Sequence, residues 1–385
     1  KPLRSTLISA IPDTLLLLGI CTIAYLFTPL TTFHSGLGFD GRFYAAMADR
    51  TNSDPLYYLH APWCWRVLTP SIAALLPFST ISSYQIIAFI TCLASLMLLR
   101  SILEQQGFES KWQWYGIALY SGVFWTLRWS FYSPAYIDHM GQFLTLLGIW
   151  LIQRKYHSWL YAFMFVAALH KESMLLLALV AFAARGQSEQ YSKSSKLFLA
   201  GLLISGLIGL SLPRVLIVPI NEYAPEAAFV AYLTKFLSDP YNWGLFVLAI
   251  FSGLGVMPLL ILTRPKANMQ FLTHHHLWAM LFAVGGLQLL AGSDKPRLFL
   301  PMLPAVVTLS VYATREYLHS TSKARFVAAM ASLLALHLVL GHHFWPLNRH
   351  LDFFYWMTPM HQHTYPWWAL ARVAIVTVCF IALSN

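Results

Sequence analysis

One carboxylate near the start of the chain has the setting of a chemical group. Asp40 lies in the run Gly38-Phe39-Asp40-Gly41, shortly after the first apolar stretch. Glycine on both sides of Phe39-Asp40 allows the backbone to approach another segment closely. A carboxylate in such a place can accept a proton from a hydroxyl nucleophile, and Tyr44 follows it at helical spacing. The alternative is that Asp40 caps a helix over residues 41–49.

Two further segments place acids beside apolar runs. Asp138-His139 stands near the beginning of one run, and His170-Lys171-Glu172 separates two short ones. Acids inside membrane spans are costly and usually functional. The alternatives are a helix-start acid for Asp138 and an internal ion pair between Lys171 and Glu172 that offsets the cost of burial.

Cations adjoin apolar runs at two other places. Arg66 follows Trp63-Cys64-Trp65, and Asp294-Lys295-Pro296-Arg297 precedes a run rich in Leu and Pro. Arginine binds phosphate oxygens in a bidentate manner, so these positions suit a phosphate ligand. Cations at a membrane boundary also suit lipid head groups, to which a single arginine can snorkel.

The composition predicts the elements that must position these residues. Hydrophobic residues make up 58% of the 385, charged residues 10%, and the mean hydropathy is +0.58. Soluble domains carry about 25% charged residues, so we predict an all-α polytopic membrane protein. About 20 apolar residues span a bilayer as a helix. We predict about ten full transmembrane helices: Ile11–Pro29, Ile81–Leu99, Trp112–Trp129, Ala135–Leu151, Leu197–Val218, Trp243–Leu262, Leu277–Leu290, Leu298–Tyr312, Phe326–Leu340 and Trp367–Leu383.

Two shorter apolar runs are expected to form a helical hairpin. Trp159–Leu169 and Ser173–Ala184 are each too short to cross comfortably alone. We predict that they dip from one face, with His170-Lys171-Glu172 as a polar elbow deep in the protein. With this hairpin the predicted total is 10–12 helices in a single integral-membrane domain, residues 1–385.

The placement of charge predicts the orientation. With a cytoplasmic N-terminus, inner segments hold 14 of the 25 Lys and Arg and 5 of the 15 acids. This excess agrees with the positive-inside rule, so we predict cytoplasmic termini and a site at the extracytoplasmic face of a bacterial inner membrane. The net charge of +10 is thus an orientation signal and indicates no nucleic acid partner. The long outer loops are residues 31–66 and 341–366.

The last outer loop raises a metal alternative. It holds Asp352 and five histidines, but their spacing matches no compact motif of the His-Glu-x-x-His type. The chain also contains neither a glycine-rich phosphate loop nor a Gly-x-Ser-x-Gly nucleophile elbow. The histidines are His342, His343, His350, His361 and His363.

Taken in order, these motifs resemble those of the GT-C superfamily, the integral-membrane glycosyltransferases that use polyprenyl-phosphate sugars. Asp40 stands where that group has its catalytic acidic motif, in the first outer loop. Many members have paired acids there, whereas Gly41 follows Asp40 in this chain. A single acid weakens the inference of a divalent metal, so a metal stays an open alternative that the motif does not indicate, and no cofactor is assigned. The other motifs of the resemblance, which covers residues 1 to about 310, are Arg66-Val-Leu-Thr-Pro70, Tyr136-Ile-Asp138, Lys171-Glu172 and Asp294-Lys-Pro-Arg297.

The resemblance implies transfer of one sugar from a polyprenyl-phosphate donor to a hydroxyl of a glycan, lipid or protein acceptor. Asp40 would be the general base and Asp138 its positioning partner or substitute. With one base and no covalent carboxylate, the anomeric centre would invert. The resemblance also implies that membrane lipids surround the protein. The expected substrate-binding residues are Tyr44, Arg66, His139, Lys171, Glu172, Asp294, Lys295 and Arg297.

Two other classes of function remain open from the sequence. A lipid or glycan transporter would use the buried acids and bases as pathway or proton-relay groups. A non-catalytic scaffold subunit of an envelope complex would use the outer loops as a binding surface. A transporter needs polar groups through the full membrane depth, whereas the motifs here gather toward one face.

Overall fold

The computed structural model describes residues 3–38, 40–51, 53–189, 192–238, 240–288, 295–318, 323–340 and 367–384, and every regular element in these ranges is helical. The all-α prediction is therefore confirmed. The first ten helices are α1 (Leu3–Leu26), α2 (Gly41–Ala48), α3 (Pro55–Tyr58), α4 (Leu68–Leu75), α5 (Thr80–Gln105), α6 (Ser110–Gly122), α7 (Leu127–Tyr132), α8 (Asp138–Gln153), α9 (His157–Ala168) and α10 (Leu176–Glu189).

The second half of the chain continues the helical pattern. Its helices are α11 (Lys193–Leu216), α12 (Pro225–Ser238), α13 (Pro240–Leu254), α14 (Met257–Thr263), α15 (Pro265–His274), α16 (His276–Gln288), α17 (Lys295–Leu298), α18 (Leu303–Leu318), α19 (Lys323–Leu340) and α20 (Trp367–Ser384). Short 3₁₀ turns occupy Phe33–Gly36, Trp63–Trp65, Glu172–Leu175 and Leu300–Met302.

The number of full-length spans differs from the prediction. Within the described residues two helices, α5 and α11, are long and apolar enough to cross a membrane. Shorter apolar helices cover Ile11–Leu26, His157–Ala168, His276–Leu287 and Val327–Leu340. About ten full spans are therefore not confirmed.

Helix breaks account for two of the predicted spans that are not found. The predicted span Trp112–Trp129 is divided because α6 ends at Gly122 and α7 begins at Leu127. The predicted span Trp243–Leu262 is divided at Gly255, whose φ of +58° lies in the left-handed region that favours glycine. Apolar length registers the total run but not such interruptions, so it overestimates the length of the individual helices.

An aromatic group in the core supports the beginning of α8. The Trp125 and Trp129 rings lie 5.0 Å apart, and Trp129 is 5.1 Å from Tyr136. All three side chains are almost fully buried. Edge-to-face and tilted aromatic pairs of this kind stabilise beyond the area they bury. The group fixes Tyr136 two residues before Asp138.

The two arms of the predicted hairpin are present as α9 and α10, with the polar elbow between them, and both arms pack on α11. Their dip from one face of a membrane stays a prediction. The first arm packs closely on α11: a Cβ at Gly209 would collide with the Phe165 carbonyl oxygen, and Ser205 Oγ donates to the Tyr161 carbonyl at 2.6 Å. Small residues allow this approach of two backbones. The arrangement places the end of α11 beside the elbow.

Candidate active site

Asp40 is held at the end of a loop that lies directly against the start of α8. The Asp40 N–H donates to Tyr136 Oη at 3.2 Å. Gly38 has a φ of +66°, and a Cβ there would meet the Ser133 hydroxyl. A Cβ at Gly41 would lie 3.0 Å from the Ala135 Cβ. The close backbone approach predicted from the two glycines is therefore present.

The Asp40 side chain makes no capping hydrogen bond to α2. Its Oδ2 instead lies 3.9 Å from the Arg297 guanidinium, and about one third of the side chain is accessible. The capping alternative is therefore not supported, and the carboxylate can be reached from outside.

Arg297 joins two carboxylates that are far apart in the sequence. Its Nε donates to Asp138 Oδ2 at 2.7 Å, and its terminal nitrogen faces Asp40. The guanidinium also lies 4.4 Å from the centre of the Tyr136 ring, a cation–π contact. The Asp138 side chain is only 9% exposed. Asp138 is therefore an anchor for Arg297, whereas Asp40 is the more accessible acid.

A second charged group forms around Glu172. Arg66 donates from Nε and Nη2 to Glu172 Oε2 at 3.3 Å, and from Nη1 to Tyr44 Oη at 3.1 Å. Arg214 donates to the other carboxylate oxygen, Oε1, at 2.9 Å and lies over the Trp65 ring. One carboxylate thus holds two guanidinium groups at the elbow.

The protonation states follow from these surroundings. Burial alone would raise the pKa of Glu172, but the Arg66 and Arg214 guanidinium groups help to hold it at about 2, so the carboxylate is ionised. Burial raises the pKa of the Tyr44 phenol well above its usual value, so the phenol is neutral. Burial also lowers the pKa of the Lys171 ammonium, against the opposing effect of Asp138.

Contacts between the start of α4 and the elbow fix the elbow relative to Arg66. The Leu68 N–H donates to the Leu169 carbonyl at 3.2 Å. Next to it, Thr69 Oγ1 and His170 Nδ1 are 3.3 Å apart. With the Arg66–Glu172 pair, these contacts hold residues 66–69 against residues 169–172.

A narrow crevice extends from the Asp138–Arg297 pair to the elbow. It has a volume of about 30 Å³ and is lined by Asp138, His170, Lys171 and Arg297, among others. His170 Nε2 and Ser173 Oγ are buried near it without a hydrogen-bond partner among the described residues. This volume holds about one water molecule, which such polar atoms would bind. The crevice therefore continues the polar environment between Asp138 and the elbow.

His139 is not brought to this site. Its ring is buried, with Nδ1 2.9 Å from Thr91 Oγ1 and Nε2 3.0 Å from the Pro134 carbonyl oxygen. Successive helical residues point about 100° apart, so Asp138 and His139 face different neighbours. The geometry gives His139 a packing role in place of the predicted contact with substrate.

Sequence reasoning missed Arg214 as a member of the charged group. The available signal was an arginine inside the apolar run Leu197–Val218, since cations in such runs are costly and usually paired. Asp294 and the whole last outer loop with its histidines lie outside the described residues, and the side chain of Lys295 is not described. Within the described part of the chain, no three His, Cys, Asp or Glu residues are grouped as metal ligands.

Three comparisons with known proteins found no match to this chain. No family model matches the chain, and neither a curated protein nor a solved structure matches it.

Proposed function

We propose that the protein is a membrane glycosyltransferase of GT-C type. It moves one sugar from a polyprenyl-phosphate donor to a hydroxyl acceptor at the extracytoplasmic face. The observation that carries this proposal is the sharing of Arg297 by an accessible carboxylate, Asp40, and a buried one, Asp138. The GT-C resemblance assigns the base to the same Asp40.

A membrane location is supported by the outer surfaces of the helices. Large apolar side chains are exposed along α1 and α11, where a protein surrounded by water would place polar ones. In a bilayer these side chains contact lipid tails. Examples are Leu15 (60%), Ile23 (59%), Leu26 (70%), Leu197 (65%), Ile204 (59%) and Val215 (78%).

The cations would stabilise the leaving group. As the glycosidic bond breaks, negative charge develops on the donor phosphate, and fixed cations stabilise it most where water is excluded. The described residues supply four cations and three carboxylates around the site, so the group carries an excess of one positive charge. The cations are Arg66, Lys171, Arg214 and Arg297; the carboxylates are Asp40, Asp138 and Glu172.

The two aspartates would have different roles. A carboxylate that accepts a 2.7 Å hydrogen bond from arginine is a weak proton acceptor, because the bond stabilises its ionised form. Asp138 therefore positions Arg297. Asp40 is farther from the guanidinium and accessible, so it takes the proton from the attacking hydroxyl. Attack by the acceptor opposite the departing phosphate inverts the anomeric centre.

The test is transfer by the purified chain in lipid nanodiscs, with a panel of labelled polyprenyl-phosphate sugars. We expect Asp40→Asn to lower the turnover about 10²–10⁴-fold, the usual contribution of a general base. Glu226→Gln, which alters an exposed acid of α12, is the matched control and should retain turnover. Near-normal transfer by Asp40→Asn would rule out Asp40 as the base. In a separate assay with the chain in closed vesicles, movement of labelled lipid from one leaflet to the other without product would favour the transporter.

A further inference from the structure

A large cavity lies beside the proposed active site and has no role in the sugar transfer as proposed so far. Its volume is about 600 Å³, within the range of pockets that bind small molecules. One face of α2 lines it, through Arg42, Ala45, Ala46 and Asp49, which follow the i, i+3, i+4, i+7 spacing of a helix face. Tyr44 lies off this face and contacts Arg66. The short helix α2 therefore separates the cavity from the charged site.

Arg42 is held in this cavity by aromatic rings rather than by an acid. Its guanidinium carbon lies 4.9 Å from the centre of the Phe43 ring and 5.3 Å from that of Tyr57. Phe43 in turn stacks on Trp63 at 4.2 Å, with the rings nearly parallel. The Arg42 Nε atom is buried without a hydrogen-bond partner, and in the described part of the chain no ion pair engages this guanidinium. A fixed arginine with unused donors is prepared to bind a ligand oxygen.

The remaining lining indicates the class of ligand. Asp49 and Asp54 supply carboxylate acceptors, and Ser35, Ser53 and Ser79 supply hydroxyl groups. Two carboxylates and one arginine give a net negative lining, which disfavours phosphate and other anions. Groups that both donate and accept hydrogen bonds around an aromatic side chain suit a molecule rich in hydroxyl groups.

We propose that this cavity binds the acceptor as an uncharged, hydroxyl-rich carbohydrate, with Arg42 as its main donor. Asp40 stands at the N-terminal end of α2, and Arg42 lies on the face that lines the cavity. An acceptor that extends from the cavity past this end of α2 would present one hydroxyl to the Asp40 carboxylate. The identity of the ligand as the acceptor rests on the proposed function, whereas binding of carbohydrate does not.

The experiment measures binding of chitobiose and lactose to the full chain in nanodiscs by saturation-transfer NMR and titration. Binding is expected in the native chain. Arg42→Gln should weaken it at least about tenfold, the loss of one charged hydrogen bond. Ser53→Trp, which fills the rim of the cavity, should weaken binding as well. Arg50→Gln removes an exposed arginine from the same segment but not from the cavity lining, and should leave binding unchanged.

The outcomes separate this inference from the proposed function. No disaccharide binding, preference for acidic sugars, or equal losses in Arg42→Gln and Arg50→Gln would overturn the carbohydrate cavity. Disaccharide binding by a native chain that shows no transferase activity would uphold the cavity and remove the proposed function. If the chain transfers sugar and neither Arg42→Gln nor Ser53→Trp changes its KM for the acceptor, the proposed function stands and the cavity is not the acceptor site.

Discussion

At the residue scale, the site consists of carboxylates that differ in how firmly they are paired. Asp138 is bound tightly by Arg297, Asp40 loosely, and Glu172 is shared by two arginines. Pairing determines how readily a carboxylate accepts a proton, because an arginine that donates to the carboxylate stabilises its ionised form. The three acids therefore divide into an anchor, a base and a structural link.

Arg297→Lys tests the shared guanidinium. Lysine keeps the charge but has no planar fork, so it cannot bond Asp138 and face Asp40 in the same way. We expect kcat/KM for the donor to fall about 10–100-fold, the equivalent of about 1.4–2.7 kcal/mol. The KM for the acceptor should change little. Equal effects on both substrates would indicate a packing role, and Arg50→Lys serves as the control at an exposed site.

Glu172→Gln tests the link between Arg66 and Arg214. The native pKa of about 2 lies below the usual value of 4.5, so this carboxylate stabilises the fold above pH 4.5. That contribution is lost as the pH falls from 4.5 toward 2. The variant should lose about 1–3 kcal/mol at neutral pH, between the values for exposed and buried pairs.

The measurement is the thermal midpoint Tm in detergent at pH 7 and pH 3.5. The native chain should lose more Tm between these two values than Glu172→Gln does, because the variant has no carboxylate to titrate there. Glu226→Gln should behave like the native chain. Parallel pH profiles of the native chain and Glu172→Gln would contradict the role given to this pair.

At the element scale, the breaks between helices determine what the site contains. The elbow after α9 and the loop before α8 each present charged residues at a helix end, where the backbone leaves the helical path. The sequence predicted the break at residues 170–172, because polar residues interrupt two short apolar runs. It did not predict the ends of α6 and α13, because those lie inside uninterrupted apolar runs.

Gly209→Ala tests the packing of α9 on α11. The new methyl group would meet the Phe165 carbonyl oxygen, and it would lie 3.0 Å from the carbonyl carbon. Overpacking costs about 1–3 kcal/mol, which exceeds the gain of up to about 1 kcal/mol in helix propensity. We therefore expect a lower Tm. Gly19→Ala in α1, with open space around the new methyl group, should leave Tm unchanged or slightly raised.

At the scale of the whole molecule, the fold brings together residues that are far apart in the chain. Arg297 and Asp138 are 159 positions apart, and Arg66 and Glu172 are 106 apart. Residue types indicated that Asp40, Arg66 and Arg297 belong to one site, since phosphate chemistry needs such groups. Their pairing could not be predicted, because which acid bonds which arginine depends on how distant helices pack.

The proposed orientation across the membrane can be tested with introduced cysteines. Thr51→Cys lies in the first outer loop and Ser110→Cys at the beginning of α6, and both positions are exposed. In a chain whose native cysteines are replaced, a membrane-impermeant maleimide should label Thr51→Cys in intact spheroplasts. Ser110→Cys should be labelled only after the membrane is permeabilised. Labelling of Ser110→Cys from outside would contradict the orientation.

The order of the contributing residues has a consequence for biosynthesis. Both aspartates leave the ribosome well before Arg297, which follows Asp138 by 159 positions. Until then, Asp138 lacks the guanidinium that compensates its burial, and an uncompensated acid in an apolar environment is costly. A nascent chain that stops before α17 should therefore insert poorly and be a substrate for quality-control proteolysis.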